Sequence, residues 1–286
     1  MRNTDALRLG DMQVSVVTDG TFWLDGGTMF GIVPKVLWER LSPLDERNRI
    51  SMALSSLLVR GAGRTILVDT GVGTRNTPKE TEIFAISRAD GGLRDSLRAR
   101  GVAPEQVTDV VLTHLHFDHA GGAVAREGDG RLVPAFPNAT YHVHRDMWDW
   151  AQDLTPKDRG SFRPDDYRVL RDARLRLAEG REEICEGVEI IPTYGHTVGN
   201  QVVKVAAGGE TLLYAGDVVP TSHHLKLPYV MAYDLFPLTT IREKAQLVGE
   251  AADGGWIVVF EHDPKLRAAR VARDGENFRV AEPVAL

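Results

Sequence analysis

The sequence predicts a single α+β domain, with strands early and late in the chain and helices between them. Three observations carry that reading. Short segments rich in Val, Ile and Leu recur at 53–59, 65–68, 109–113, 188–191, 201–205, 211–215 and 256–260, each of strand length. Segments of helical period are fewer and fall between them. No linker, low-complexity tract or repeat interrupts residues 1–286, and 43% hydrophobic with 26% charged residues is the composition of a globular chain.

In chain order, residues 13–17 alternate polar and apolar side chains and read as a first strand. Residues 19–48 show little periodicity and carry Phe22, Trp23, Met29, Phe30, Ile32, Val33 and Trp38 among Gly and Pro, which reads as an apolar loop or arm. The strands at 53–59 and 65–68 are joined by the turn Gly61-Ala62-Gly63. A helix at 93–100 is closed by Gly101, and one more helical turn at 104–107 precedes the strand 109–113. Residues 139–143 read as strand and 146–152 as helix. Residues 154–164 form a polar loop that would wall a pocket, and arginine-rich 165–179 a solvated helix. The strands 201–205 and 211–215 make a hairpin around Gly208-Gly209. Thr240-Ile241-Arg242-Glu243 has the form of a capping box, opening a helix that Gly254 stops. A strand at 256–260 and an edge strand at 278–280 complete the pattern.

The chemistry is densest at Thr113-His114-Leu115-His116-Phe117-Asp118-His119-Ala120-Gly121-Gly122. Imidazole and carboxylate donors suit a divalent transition metal. Four donors in six residues exceed what one ion takes with good geometry, so the spacing suggests two ions side by side. Gly121-Gly122 would let the following turn be tight. His196, Asp217 and His262 resemble His114 in one respect: each stands just past an apolar segment. Strands in two packed sheets would bring those ends to one edge. His142 and His144 have no carboxylate at ligand spacing and read as structural, as does the single cysteine, Cys185.

The motif His-x-His-x-Asp-His-Ala-Gly-Gly is preceded by Asp69-Thr70-Gly71 and followed in order by Gly195-His196-Thr197, Gly216-Asp217 and His262. Together these resemble the metallo-β-lactamase-fold hydrolase superfamily, nearest to its N-acyl homoserine lactonase and methyl parathion hydrolase-like members. The resemblance implies a four-layer αββα sandwich with the metal site at one edge of the two sheets. It also implies two divalent metal ions, zinc first, with manganese, iron or cobalt as alternatives. His114, His116 and His196 would hold one, Asp118, His119 and His262 the other, and Asp217 would bridge both. Asp69 would support the ligands from behind. The implied reaction is hydrolysis of a lactone or ester, N-acyl homoserine lactone included, by a hydroxide bridging the ions. Asp118 and Asp217 are its catalytic carboxylates, and Asp118 would carry the proton to the leaving group.

The same resemblance places an apolar arm over the site, so Phe22, Trp23, Met29, Phe30 and Ile32 are expected to include pocket residues for a small hydrophobic ester or lactone. A homodimer in which the arm meets a second subunit is a further expectation. Lactonases carry a tyrosine three residues after the bridging aspartate. Here that residue is Pro220, and His223, His224 and Tyr229 are the candidates to replace it. The family's Gly-His-Thr-Pro-Gly-His reads Gly-His-Thr-Val-Gly-Asn here, Asn200 falling on a position that is not a ligand.

Asp217 separates the chain from metallo-β-lactamases proper, which place cysteine or serine near this point. Alternatives within the resemblance are an organophosphate or aryl-ester hydrolase, a glyoxalase-II-like thioesterase and a mononuclear-iron persulfide dioxygenase. The 24 residues after His262 leave little room for the thioesterase's helical glutathione-binding region. A net charge of −6 without a basic run argues against nucleic acid as a partner. No apolar run approaches the roughly 18 residues of a membrane helix. Residues 1–5 show no signal core, and one cysteine allows no internal disulfide, so the expected compartment is the cytoplasm.

Overall fold

A computed structural model describes residues 6–286; residues 1–5, where the sequence shows no signal core, lie outside the described residues. The first half supplies β1 (Leu7–Leu9), β2 (Met12–Asp25), β3 (Arg49–Gly61), β4 (Arg64–Val68), β5 (Asp109–Val111), the hairpin β6 (Val124–Arg126) and β7 (Leu132–Pro134), β8 (Thr140–His144) and β9 (Arg174–Ala178). The second half supplies β10 (Glu182–Cys185), β11 (Val188–Thr193), β12 (Asn200–Ala207), β13 (Glu210–Tyr214), β14 (Ile257–Val259), β15 (Ala268–Asp274) and β16 (Asn277–Pro283). The helices are α1 (Gly26–Phe30), α2 (Lys35–Trp38), α3 (Pro78–Ile83), α4 (Leu93–Ala99), α5 (Phe117–Ala120), α6 (Arg145–Trp150) and the long α7 (Pro237–Gly254).

Two seven-stranded sheets result, one in the order β1-β2-β3-β4-β5-β8-β9 and the other running β10 to β16 in sequence. Their facing sides share one core, in which Val14, Val16, Leu57, Val59, Ile66 and Val68 meet Val203, Val205, Leu212 and Tyr214. The outer face of the first sheet is covered by Leu93 and Leu97 of α4 and Met147 and Trp148 of α6. That of the second is covered by Leu247, Val248 and Ala251 of α7. Helix, sheet, sheet and helix therefore stack as four layers, each sheet buried on both faces. Within each sheet one junction is parallel between strands that precede site residues, β4 with β5 and β13 with β14. Their C-terminal ends thus emerge together.

Three local expectations are corrected. Residues 19–25 are not loop: they continue β2, paired with β3 from Gln13↔Arg60 to Asp25↔Arg49. A register shift between Thr18 and Thr21 breaks the alternation and hides the strand from the sequence. Residues 165–179 form two 3₁₀ turns and then β9, where Leu175 and Leu177 alternate with Arg174 and Arg176 beside β8. The box at Thr240–Glu243 does not open a helix, because α7 begins three residues earlier at Pro237. Glu243 instead accepts the backbone N–H groups of Tyr194 and Gly195 (2.6 and 2.9 Å), anchoring the loop before His196.

The arm packs inward. Phe22, Met29 and Phe30 are 0–1% exposed and belong to a core cluster with Trp38, Ile50, Met52 and Met231. They have no surface facing open space, so the structure gives them a packing role rather than a pocket-lining one. Ile32 lies at the other extreme, 84% exposed. Phe30 is stacked between Trp38 (centroids 5.5 Å apart) and His224 (5.0 Å). Each stacked ring pair contributes about 0.5–1.5 kcal/mol beyond area burial. Phe30→Leu is therefore expected to cost about 1–3 kcal/mol while metal content and the ratio of rates on short- and long-acyl substrates stay as in the wild type. Thermal melts with elemental analysis and paired substrates check this; a changed ratio at unchanged stability would return Phe30 to the pocket.

Candidate metal centre

Every candidate ligand stands beyond the end of a strand at one edge of the sandwich. Asp69 follows β4, His114 to His119 follow β5 and run into α5, His196 follows β11, Asp217 follows β13, and His262 follows β14. The loop after β4 and the start of α5 are locked together. Thr70 N–H donates to His119 O (2.8 Å), as does Thr70 Oγ1 (2.7 Å), and Gly122 N–H donates to Gly71 O (3.1 Å). A Cβ on Gly122 would lie 2.1 Å from Thr70 O, and one on Gly121 2.4 Å from Val72 O. The glycines of the motif are thus needed for close backbone approach rather than for a tight turn.

Two donor groups form, His114, His116, His196 and Asp217 in one, His119, Asp217, Glu261 and His262 in the other. Asp217 belongs to both. Its Oδ2 is 3.1 Å from His196 Nε2, 3.6 Å from His119 Nε2 and 3.9 Å from His114 Nε2, while Oδ1 is 3.1 Å from His262 Nε2. His196 Nε2 and His116 Nδ1 are 3.2 Å apart, and His262 Nε2 and His119 Nε2 3.4 Å apart. Asp118 Oδ2 is 3.8 Å from both His119 Nε2 and His262 Nε2. Donors sharing one tetrahedral ion at about 2.0–2.2 Å stand roughly 3.3–3.6 Å apart, and two of these separations, His119 Nε2 to His262 Nε2 and His119 Nε2 to Asp217 Oδ2, fall in that range.

The back of each ring explains its aim. His262 Nδ1–H donates to Ala53 O (2.8 Å), His196 Nδ1–H to Asp234 Oδ1 (2.8 Å), and His114 Nδ1–H to Thr113 Oγ1 (3.1 Å). Each bond selects the tautomer whose Nε2 lone pair faces the centre. His119 Nδ1 has carboxylates on two sides, Asp69 Oδ2 and Glu261 Oε1, each at 3.1 Å. Asp69 also accepts Thr113 N–H (2.8 Å) and Thr113 Oγ1–H (2.7 Å), from a backbone φ of 59°.

Burial first, then the neighbouring imidazoles, hold His114 and His116 well below the ordinary histidine range, so both are neutral with free lone pairs. Burial pushes the Asp217 carboxyl up, but His196, His119 and His262 outweigh it and keep the group ionised. Burial and the Asp69 charge lift Glu261 to about 7 against the pull of His119 and His262.

The donor set fits a divalent metal, on one specific observation. His114 Nε2 and Asp217 Oδ1 are buried without a hydrogen-bond partner of acceptable geometry. Orphaned buried acceptors are costly unless another group satisfies them, and a cation at this point does so. Asp118, Asp217 and His116 keep 7%, 6% and 5% of their surface, against 0–1% for His114, His119, His196 and His262. The centre therefore opens on the side of these three residues. There Phe162 packs edge-on against His116 (4.8 Å), and Phe117 N–H donates to Ser161 O (2.8 Å), which sets Ser161 and Phe162 of the 154–164 loop beside the centre.

The expected pocket residues divide. His224 is fully buried with both ring nitrogens engaged, by Thr221 Oγ1 (2.7 Å) and Met29 O (2.9 Å), which leaves neither for a substrate; burial takes its pKa down to about 3. Pro220, at the position of the lactonase tyrosine, accepts His262 N–H through its carbonyl (2.9 Å). Trp23, His223 and Tyr229 are half-buried. Sequence reasoning missed Glu261, Asp234 and Glu243. Glu261 was within reach as the neighbour of His262 at a strand end. Asp234, 38 residues from its histidine, carries no local signal.

A Mycobacterium tuberculosis protein named "Probable metallo-hydrolase" is 26% identical over 265 residues, covering 79% of this chain and 78% of its own length. An N-acyl homoserine lactonase of Bacillus cereus is 25% identical over 238 residues, 78% of this chain and 86% of that one. A crystal structure titled as a probable metal-dependent hydrolase from Staphylococcus aureus superposes with a TM-score of 0.88 at 26% identity, over 97% of this chain and 100% of that one. The sequence profile of the metallo-beta-lactamase superfamily matches residues 53–262, which span every donor of the centre, and the chain belongs to that superfamily.

Proposed function

We propose that the chain is a dinuclear metal-dependent hydrolase that opens a lactone or ester, with N-acyl homoserine lactones as the first class to try. The observation that carries this reading is the sharing of Asp217 between two donor groups in one cleft, each with three further ligand-type side chains. Similarity to a Bacillus cereus lactonase supports the substrate class. Divalent ions, zinc foremost, held there would polarise a carbonyl and supply a water of lowered pKa. The chain's own residues do the rest. Asp217 keeps both groups at one spacing through its two oxygens. Asp118, on the open side, would take the proton released by the attacking water and pass it to the departing alkoxide. Phe162, edge-on to His116, would keep water from that side of the cleft. We assign the protein to the cytoplasm, on its single cysteine.

The test is elemental analysis followed by a substrate screen. Two metal equivalents per chain are expected, with turnover lost on chelation and restored by added zinc, manganese or cobalt. N-acyl homoserine lactones should be turned over faster than aryl esters or organophosphates. A single tightly held iron with no hydrolysis would sink the reading, and a preference for organophosphates would move the chain to that branch.

A further inference from the structure

Lys244 lies on α7, outside the centre, and is 0% exposed. Its Nζ donates to Tyr229 O (2.7 Å) and Lys226 O (3.1 Å). A lysine is almost never fully buried unless its charge is matched, because removing an ammonium from water is costly. Leucine or methionine would fill the same space on α7 without that cost. Burial draws the Lys244 pKa down to about 7, and the charge acting against that fall is Asp234.

The two carbonyls belong to the segment joining the turn at Ser222–Leu225 to α7. This segment delivers Asp234 to the centre. Asp234 Oδ1 accepts His196 Nδ1–H (2.8 Å), and Oδ2 accepts Met231 N–H (3.2 Å). Leu235 and Phe236 then donate to the carbonyls of His196 and Gly195, at 2.9 Å each. Lys157 also reaches Ala232 O and Asp234 O (2.8 and 3.0 Å), but from the exposed side, where solvent competes. From within, the segment is gripped by Lys244.

We infer that Lys244 is a positioning residue: by holding the Lys226 and Tyr229 carbonyls, it fixes the segment that carries Asp234 to His196 and so keeps the His196 donor in binding geometry. This rests on the metal reading of the His114, His116, His196 and Asp217 group and is independent of the substrate.

Metal affinity of the full chain, measured by competition with a chromophoric zinc chelator, tests it without any assay of turnover. Lys244→Met should weaken one of the two zinc equivalents at least about tenfold, the effect of losing a group that orients a ligand. Asp234→Ala should weaken the same equivalent. The double variant should lose little more than Asp234→Ala alone, since both substitutions break one chain of contacts. Leu247→Ala on the same helix serves as control: a lower melting temperature with wild-type zinc affinity. Should Lys244→Met fail to fold, Lys244→Gln, which keeps two N–H donors without the charge, takes its place. Wild-type affinity in the Lys244 variant, or losses that simply multiply in the double variant, overturns the role of Lys244. A wild-type chain that binds no zinc overturns the metal reading itself.

Discussion

Asp217→Asn is expected to lower turnover on the order of 10³-fold and to release one metal equivalent, with the fold intact. Asp217 is 6% exposed, and its carboxylate meets four imidazole nitrogens within 3.9 Å, from His114, His119, His196 and His262. Asparagine fills the same volume, so packing is kept. It withdraws the negative charge from a point where cations are expected on both sides. It also turns N–H groups toward nitrogens that should offer lone pairs. A unit charge pair at 4 Å is worth about 4 kcal/mol at an effective dielectric constant near 20, and about 1.4 kcal/mol corresponds to a factor of ten in rate. Metal analysis and steady-state rates at saturating zinc measure the two effects separately. Turnover within threefold of wild type at full loading would show that Asp217 does not join the two groups.

Asp69→Ala should produce the largest loss of stability, about 3–5 kcal/mol, the cost of breaking a buried charged network. Asp69 is fully buried and accepts Thr113 N–H and Thr113 Oγ1–H while facing His119 Nδ1. Alanine leaves the Thr113 N–H orphaned and His119 with Glu261 as the one carboxylate behind its ring. It must also adopt a φ of 59°, where a side chain costs roughly 1–2 kcal/mol and aspartate is among the residues that tolerate it best. In a chain of this size the melting temperature should fall on the order of 10 °C. Asp69→Asn keeps an acceptor and the backbone tolerance, so it should melt near wild type yet bind metal about 10–100-fold more weakly. Near-native stability and metal affinity in both variants would mean that Thr113 and His119 are held by other contacts.

Local order in the chain explains why so much of this centre was legible early. His114, His116, Asp118 and His119 lie within six residues, and each remaining donor follows an apolar segment that could only be a strand end. The strands 53–59, 188–191 and 201–205 were legible for the same reason, since burial on both faces demands near-continuous Val, Ile and Leu. The resemblance to a known family then supplied the layer order, which periodicity alone does not contain.

Only the tertiary structure decided the rest, because those features depend on partners far along the chain. The register shift in β2 hid a strand that reads as loop in the sequence, and the strand carries Phe22 into the core. The Thr240–Glu243 box had the local form of a helix cap, yet Glu243 found better partners 49 and 48 residues away in Tyr194 and Gly195. Nothing local in the sequence marks Asp234 or Lys244, whose partners are met only when α7 and the segment before it close over His196. A metal ligand can be read from its place at a strand end. The groups that aim it are chosen by whichever buried donor or acceptor the folded chain leaves unpaired, and that is settled only when distant segments meet.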